Sequence, residues 1–187
     1  MDPLFSQESS VTAEELPRHP ELEPCELVNG KVVRLSYAKP DHGRIAVDIG
    51  TPLFRYSEES GRGKVAIGMV GIVTRRSPDT VRAADLLFIS RERYALCNPA
   101  SYLDVAPELV VEILSPEDDL WCYMMGKLAD YFAAGVDRVW LVDPELRYVL
   151  AYRGSLFDVE RFEEGDVLAD EAILPGFSLP VADLFSE

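Results

Sequence analysis

Between Pro107 and Pro144 the chain sets short apolar runs on either side of an amphipathic segment. Leu109–Leu114 (LVVEIL) is apolar on both faces apart from Glu112, which predicts a strand buried between two layers. Side chains alternate along a strand, so Val110, Glu112 and Leu114 share one face. A carboxylate there is costly unless it binds a metal, pairs with a cation or sits at an open strand end. Ser115 and Pro116 suit the N-cap and first position of a helix, and Gly135 suits its left-handed stop. Leu120, Met124, Leu128 and Tyr131 form the inner stripe of that helix, with Lys127 at its edge. Arg138–Asp143 (RVWLVD) predicts a second buried strand. Strand, helix and strand at this spacing form a βαβ crossover with parallel strands and a right-handed connection.

The flanking pattern is mostly extended. Residues 1–11 carry no periodicity and are expected to be disordered, leaving one domain over residues 12–187. Thr12 and Glu15 have capping-box spacing for a short helix ending near Pro17. Glu26–Val28 and Lys31–Leu35 around Asn29-Gly30 predict a hairpin with a type I′ turn. Residues 43–60 have mixed helical periodicity, and Gly50 and Pro52 predict a kink or a late start. Val65–Met69, Gly71–Arg75 and Leu86–Ser90 read as strands, with a turn at Ser77–Thr80 and a short helix or turn at 91–97. Tyr148–Arg153 and Val159–Phe162 suggest an antiparallel appendage, followed by a tail that wraps the domain.

Composition then narrows the classes. A chain of 187 residues, 48% hydrophobic and 27% charged, is long enough for a substantial core. No run suits a bilayer and the first residues lack a signal pattern, so no membrane partner and a cytoplasmic location are expected. Cys25, Cys97 and Cys122 are odd in number and widely spaced, as free thiols are. The net charge of −15 argues against a broad nonspecific nucleic-acid surface. Seven of the cations, against three acids, nevertheless fall between Arg62 and Arg93. They suit a cationic strip or a merely solvated hairpin.

The candidate chemistry centres on Asp85, at the start of Asp85–Ile89, and Glu112, late in the next strong strand. On neighbouring strands about 4.8 Å apart, two carboxylates can share a Mg²⁺ ion, with the Ile113 carbonyl as a third oxygen ligand. Lys127, on the helix over the sheet, can reach the same edge to orient water or stabilise developing charge. Bland roles explain the same residues: a strand cap for Asp85, a core arginine partner for Glu112, a snorkelling stem for Lys127.

Asp85, Glu112-Ile-Leu-Ser-Pro, Lys127-Leu and the Val-Trp-Leu-Val-Asp-Pro block together resemble the Uma-two family of restriction endonucleases, within the PD-(D/E)XK nuclease superfamily. The similarity runs from about Thr12 to Phe185, including Glu26-Leu-Val-Asn-Gly, the Asp41-His42-Gly region and Ser77–Arg82. It implies a restriction-endonuclease-like α/β core, a mixed twisted sheet flanked by helices. It also implies a Mg²⁺-dependent (or Mn²⁺-dependent) endonuclease site acting on DNA. Asp85 matches the Asp of the family's PD, with Ala84 in place of the proline, and Glu112 matches the second acidic residue. Leu114 occupies the usual lysine position, and Lys127 fits a lysine migrated to the following helix. Glu26 resembles an N-terminal acidic residue that completes the site. His42 also resembles a family position, where a structural role is the simpler one.

A non-catalytic interaction module that keeps the fold is the alternative from another class. The apolar segment Trp121–Met125 exceeds one inner stripe and favours a two-fold homodimer over burial beneath the C-terminal tail.

Overall fold

The computed structural model describes residues 10–115 and 121–186. Eight strands form one mixed sheet in the order β2-β1-β4-β5-β6-β7-β8, with β3 paired to the other edge of β4. The hairpin β1 (Cys25–Val28) and β2 (Lys31–Arg34) turns at Asn29 and Gly30, whose positive φ angles of 53° and 74° are those of a type I′ turn. Capping-box bonds form between Thr12 and Glu15, but the turns they open are single 3₁₀ turns at Leu16–Arg18 and Pro20–Leu22. Prolines in both segments leave too few backbone donors for a longer helix. Val11 is not disordered as expected. It is buried and its amide donates to the Gly30 carbonyl at 2.8 Å.

Helix α1 (Pro40–Ser60) starts earlier than its periodicity suggests. Pro40 at its first turn needs no amide partner, and the helix continues through Pro52 to an αL stop at Gly61. The two short strands expected over residues 65–75 are one strand, β3 (Gly63–Arg75), whose register with β4 (Thr80–Ser90) shifts between Ile67 and Val70. Gly68 and Met69, both at positive φ, absorb this bulge. Asp85 therefore lies inside a long strand and does not open one. At Gly63 a Cβ would stand 2.4 Å from the Ile89 carbonyl oxygen, so close strand pairing requires glycine there.

Helix α2 (Arg91–Tyr94) is capped by Ser90 and leads to β5 (Leu109–Ile113). The crossover is as expected: β5 runs parallel to β6 (Arg138–Asp143), and α3 (Trp121–Ala134) connects them. Pro116 and Leu120, assigned above to the first helical position and the inner stripe, lie outside the described residues. Strands β7 (Tyr148–Arg153) and β8 (Val159–Glu163) are antiparallel as expected and extend the main sheet from β6.

The sheet carries a core on each face. One layer joins α1 to Leu86, Phe88, Val111 and Trp140, and the tail residues Leu174, Phe177, Leu184 and Phe185 complete it. A small pair, β9 (Val167–Leu168) and β10 (Leu179–Pro180), fixes the tail. The other layer sets Met124, Leu128 and Tyr131 of α3 against Leu87, Val110 and Leu141. The tail thus covers the α1 layer, and Trp121 on α3 stays 53% exposed. Cys25, Cys97 and Cys122 are free. Among the described residues no helix is long and apolar enough to cross a membrane.

Candidate functional site

Strand β4 has three strand partners, and that surplus creates the site. Its whole length on one edge pairs with β3, so β1 and β5 must share the other edge. On that edge Val81 faces Leu27 of β1, and Leu86 faces Val111 of β5. Between these pairs the ladder is open. Ala83 has an amide and a carbonyl there that must still be satisfied. Two side chains take them: Ala83 N–H donates to Glu26 Oε1 at 2.9 Å, and Lys127 Nζ donates to the Ala83 carbonyl at 2.8 Å.

Lys127 is therefore not an edge residue. It is 6% exposed, and its ammonium also reaches Glu112 Oε2 at 2.7 Å and Glu26 Oε1 at 3.2 Å. Tyr131 donates to Glu112 Oε1 at 2.7 Å. Beyond Glu26 stands Arg82, which donates to its Oε2 at 2.7 Å and to Asp130 Oδ2 at 2.8 Å. Tyr123 donates to the same Glu26 oxygen, and its ring lies 5.2 Å from the Arg82 guanidinium carbon. Arg82, Tyr123, Asp130 and Tyr131 were not singled out as site residues, although a signal exists for three of them. Tyr123, Lys127 and Tyr131 recur at four-residue spacing along one helical stripe. Arg82 is a lone cation in an apolar strand, the same kind of exception as Glu112.

Asp85 sits where β4 and β5 separate. Its Oδ2 accepts the Ile113 amide at 2.8 Å and lies 3.2 Å from His42 Nε2 of α1. The N–H and C=O of one strand residue point to the same neighbour. The Ile113 carbonyl is thus directed to the edge that holds Asp85, and Glu112 precedes it in the chain. The α1 and α3 layers meet at this opening, one delivering His42 and the other Lys127.

Electrostatics distinguish the carboxyl groups. Burial pushes Glu112 up to about 8, against the pull of Lys127, and the nearby Asp85 charge adds to the rise. Glu26 is also opposed by burial, but Lys127 and Arg82 together hold its carboxyl below the usual range. Lys127 stays protonated because Glu112, Glu26 and Asp85 outweigh its desolvation. One ammonium serves several acids, and Glu112, which lacks a second cation, takes the proton. Burial and the adjoining Glu112 push the Tyr131 hydroxyl far up, so it remains a donor.

Four carboxylates, Glu26, Asp85, Glu112 and Asp130, meet two fixed cations, Arg82 and Lys127. With Glu112 holding its proton one negative charge is left over, and two once that proton leaves; the groups around the opening are hard oxygens. Among the described residues no three His, Cys, Asp or Glu side chains assemble as a metal cage. Two carboxylates and a backbone oxygen are a different donor set, and they fit a small divalent cation that keeps several waters.

The family model Uma2, described as "Putative restriction endonuclease", matches residues 12–182. The chain belongs to the Uma2 family. Its structure also resembles a crystal structure from Anabaena variabilis described as a putative nuclease belonging to DUF820. The TM-score is 0.77 at 20% sequence identity, over 94% of this chain and 97% of the other. That likeness establishes the restriction-endonuclease-like α/β fold. No curated protein matches the chain. Within the Uma2 sequence the positions expected for Glu26, Glu112 and Lys127 converge directly. Asp85 adjoins them through the Ile113 backbone.

Proposed function

We propose that this Uma2 chain is a Mg²⁺-dependent endonuclease that hydrolyses phosphodiester bonds in DNA. The observation that carries the reading is Lys127. A helix lysine fills the place beside Glu112 that Leu114 leaves empty, 2.7 Å from the carboxylate, where β1 and β5 part along β4. Asp85, Glu112 and the Ile113 carbonyl would hold the ion, with Mn²⁺ as a substitute. A bound divalent cation supplies Lewis acidity at a phosphoryl oxygen and lowers the pKa of a coordinated water. Lys127 holds a fixed positive charge beside the reacting centre, where charge grows during phosphoryl transfer. Glu112 accepts from Lys127 and Tyr131, which uses two of its roughly four lone-pair sites and leaves room for a ligand. His42 orients Asp85 from the other layer.

Titration calorimetry with Mg²⁺ and Mn²⁺ tests this reading. Wild type is expected to bind one or more ions, and Asp85→Asn to lose binding and plasmid cleavage together. Wild-type binding that survives intact in Asp85→Asn would remove Asp85 from the metal site.

The alternative, a non-catalytic module retaining the fold, is favoured by one observation. Lys127 already donates to two acceptors and pairs with a second carboxylate, as in a purely structural ion network. A wild-type protein that neither binds Mg²⁺ nor cuts DNA would establish that reading.

A cut in both strands calls for two sites, and we extend the proposal to a homodimer through the exposed start of α3. Trp121, 53% exposed, and the neighbouring Met125 supply the apolar surface. Sedimentation velocity at micromolar concentration is expected to show a dimer that Trp121→Ser converts to monomer. A wild-type monomer under those conditions would refute it.

A further inference from the structure

One carboxylate in the gap is enclosed by donors on both of its oxygens. Glu26 is 1% exposed, and its Oε1 accepts from Ala83 N–H at 2.9 Å and forms an ion pair with Lys127 Nζ at 3.2 Å. Its Oε2 accepts from Arg82 at 2.7 Å and from Tyr123. Three hydrogen-bond donors and one ammonium surround a group with about four lone-pair sites. Glu112, with two donors, is the opposite case. The donors of Glu26 are themselves tied down. Arg82 is anchored on Asp130 and lies against the Tyr123 ring, while Ala83 is main chain of β4.

We propose that Glu26 is the standing counter-ion of Lys127, clamped by Arg82 and Tyr123, and that it positions the lysine rather than ligating a metal. The inference rests on the nuclease reading and reassigns the auxiliary acid within it. Its consequence concerns the ammonium of Lys127, which donates to Glu112 and the Ala83 carbonyl and pairs electrostatically with Glu26. When Glu112 turns toward a cation, Lys127 keeps the Ala83 carbonyl as acceptor and Glu26 as counter-ion. The N–H that Glu112 held is then released to a water or a phosphate oxygen, and the ammonium stays in place. Without Glu26 the lysine would follow Glu112 or lose its aim. Two acids on one lysine thus have separate tasks: one holds it and the other lets it go. Arg82 and Tyr123 become positioning residues at one remove.

The test joins a spectroscopic readout of the lysine to metal binding and kinetics. The ¹⁵N-detected ammonium signal of Lys127, slow to exchange because it is buried, is expected in wild type and should persist through a Mg²⁺ titration. In Glu26→Gln that signal is expected to broaden away while Mg²⁺ affinity is retained. The kcat for DNA cleavage should fall by about 10–100-fold, the range for losing an orienting partner, with KM unchanged. Tyr123→Phe should show the same split on a smaller scale, and it decides the matter if Glu26→Gln does not fold. An ammonium signal unaffected by both substitutions would overturn the clamp. So would a Mg²⁺ affinity in Glu26→Gln weakened as in Asp85→Asn, which would make Glu26 a ligand. If wild type binds no Mg²⁺, the nuclease reading fails, and the ammonium spectrum still decides whether Glu26 holds the lysine.

Discussion

Lys127→Met is expected to abolish Mg²⁺-dependent cleavage and to destabilise the fold. Methionine keeps the apolar stem but leaves Glu112 and Glu26 in the gap without their shared cation, and the Ala83 carbonyl without a donor. Removing one partner of a buried ion pair costs about 3–5 kcal/mol. For a domain of this size each kcal/mol lowers Tm by about 2–4 °C, so a drop of roughly 6–20 °C is expected. The activity loss should exceed about 100-fold, the lower end for a group acting directly on the transition state. A double variant, Lys127→Met with Glu26→Gln, separates the two effects. It should recover part of the stability, because Glu26 is the acid that keeps its charge beside the missing ammonium while Glu112 holds a proton, and none of the activity. Cleavage at the wild-type rate in Lys127→Met would end the role proposed for the lysine.

Raising the pH from 5 to 9 without metal should lower the melting temperature, and excess Mg²⁺ should restore it. In the folded chain Glu112 holds its proton up to about 8, against 4.5 for an ordinary glutamate. Between those values the folded state binds the extra proton. The stabilisation from this group is complete below about 4.5 and is lost as pH rises through about 8. Above that range Glu112 is a second anion on a lysine already shared with Glu26. A cation that binds only the folded form offsets the loss, and at a hundredfold excess over Kd it adds about 2.7 kcal/mol. At pH 8 that is a rise of roughly 5–11 °C. Glu112→Gln should flatten the pH dependence in the metal-free protein and remove most of the Mg²⁺ effect. Identical melting curves for wild type with and without Mg²⁺ would count against the metal site.

Fold and site were legible in the sequence to different depths. The βαβ unit announced itself because each part obeys a local rule: a strand buried on both faces is apolar throughout, and a helix over it repeats at 3.6. Asn29-Gly30 fixed the hairpin for an equally local reason, since two successive positive φ angles suit few other residues. Asp85 and Glu112 stood out as acids beside or within apolar strands that could share a metal ion, and the family resemblance added Glu26 and a phosphodiester chemistry. Lys127 was placed at the edge of the helical stripe by periodicity and matched to a migrated lysine by the resemblance, and its burial came from the structure alone. A helical wheel places it beside the stripe, and it cannot show that β4 lacks a backbone partner at the point above it.

What the sequence by itself determined is which segments are strand and helix at the centre of the chain and which charges interrupt them. These follow from periodicity and backbone sterics within a few residues. Only the tertiary structure decided that β1 and β5 share one edge of β4 and leave Ala83 unpaired between them. It also decided that Arg82 and Tyr123 clamp Glu26, and that the tail covers the α1 layer rather than α3. The physical reason is range. Arg82 lies 56 residues from Glu26 and Tyr123 lies 97 from it, and no local pattern encodes which distant donors an acid will find. The gap arises because one strand edge is divided between two partners, which depends on where all three strands come to lie.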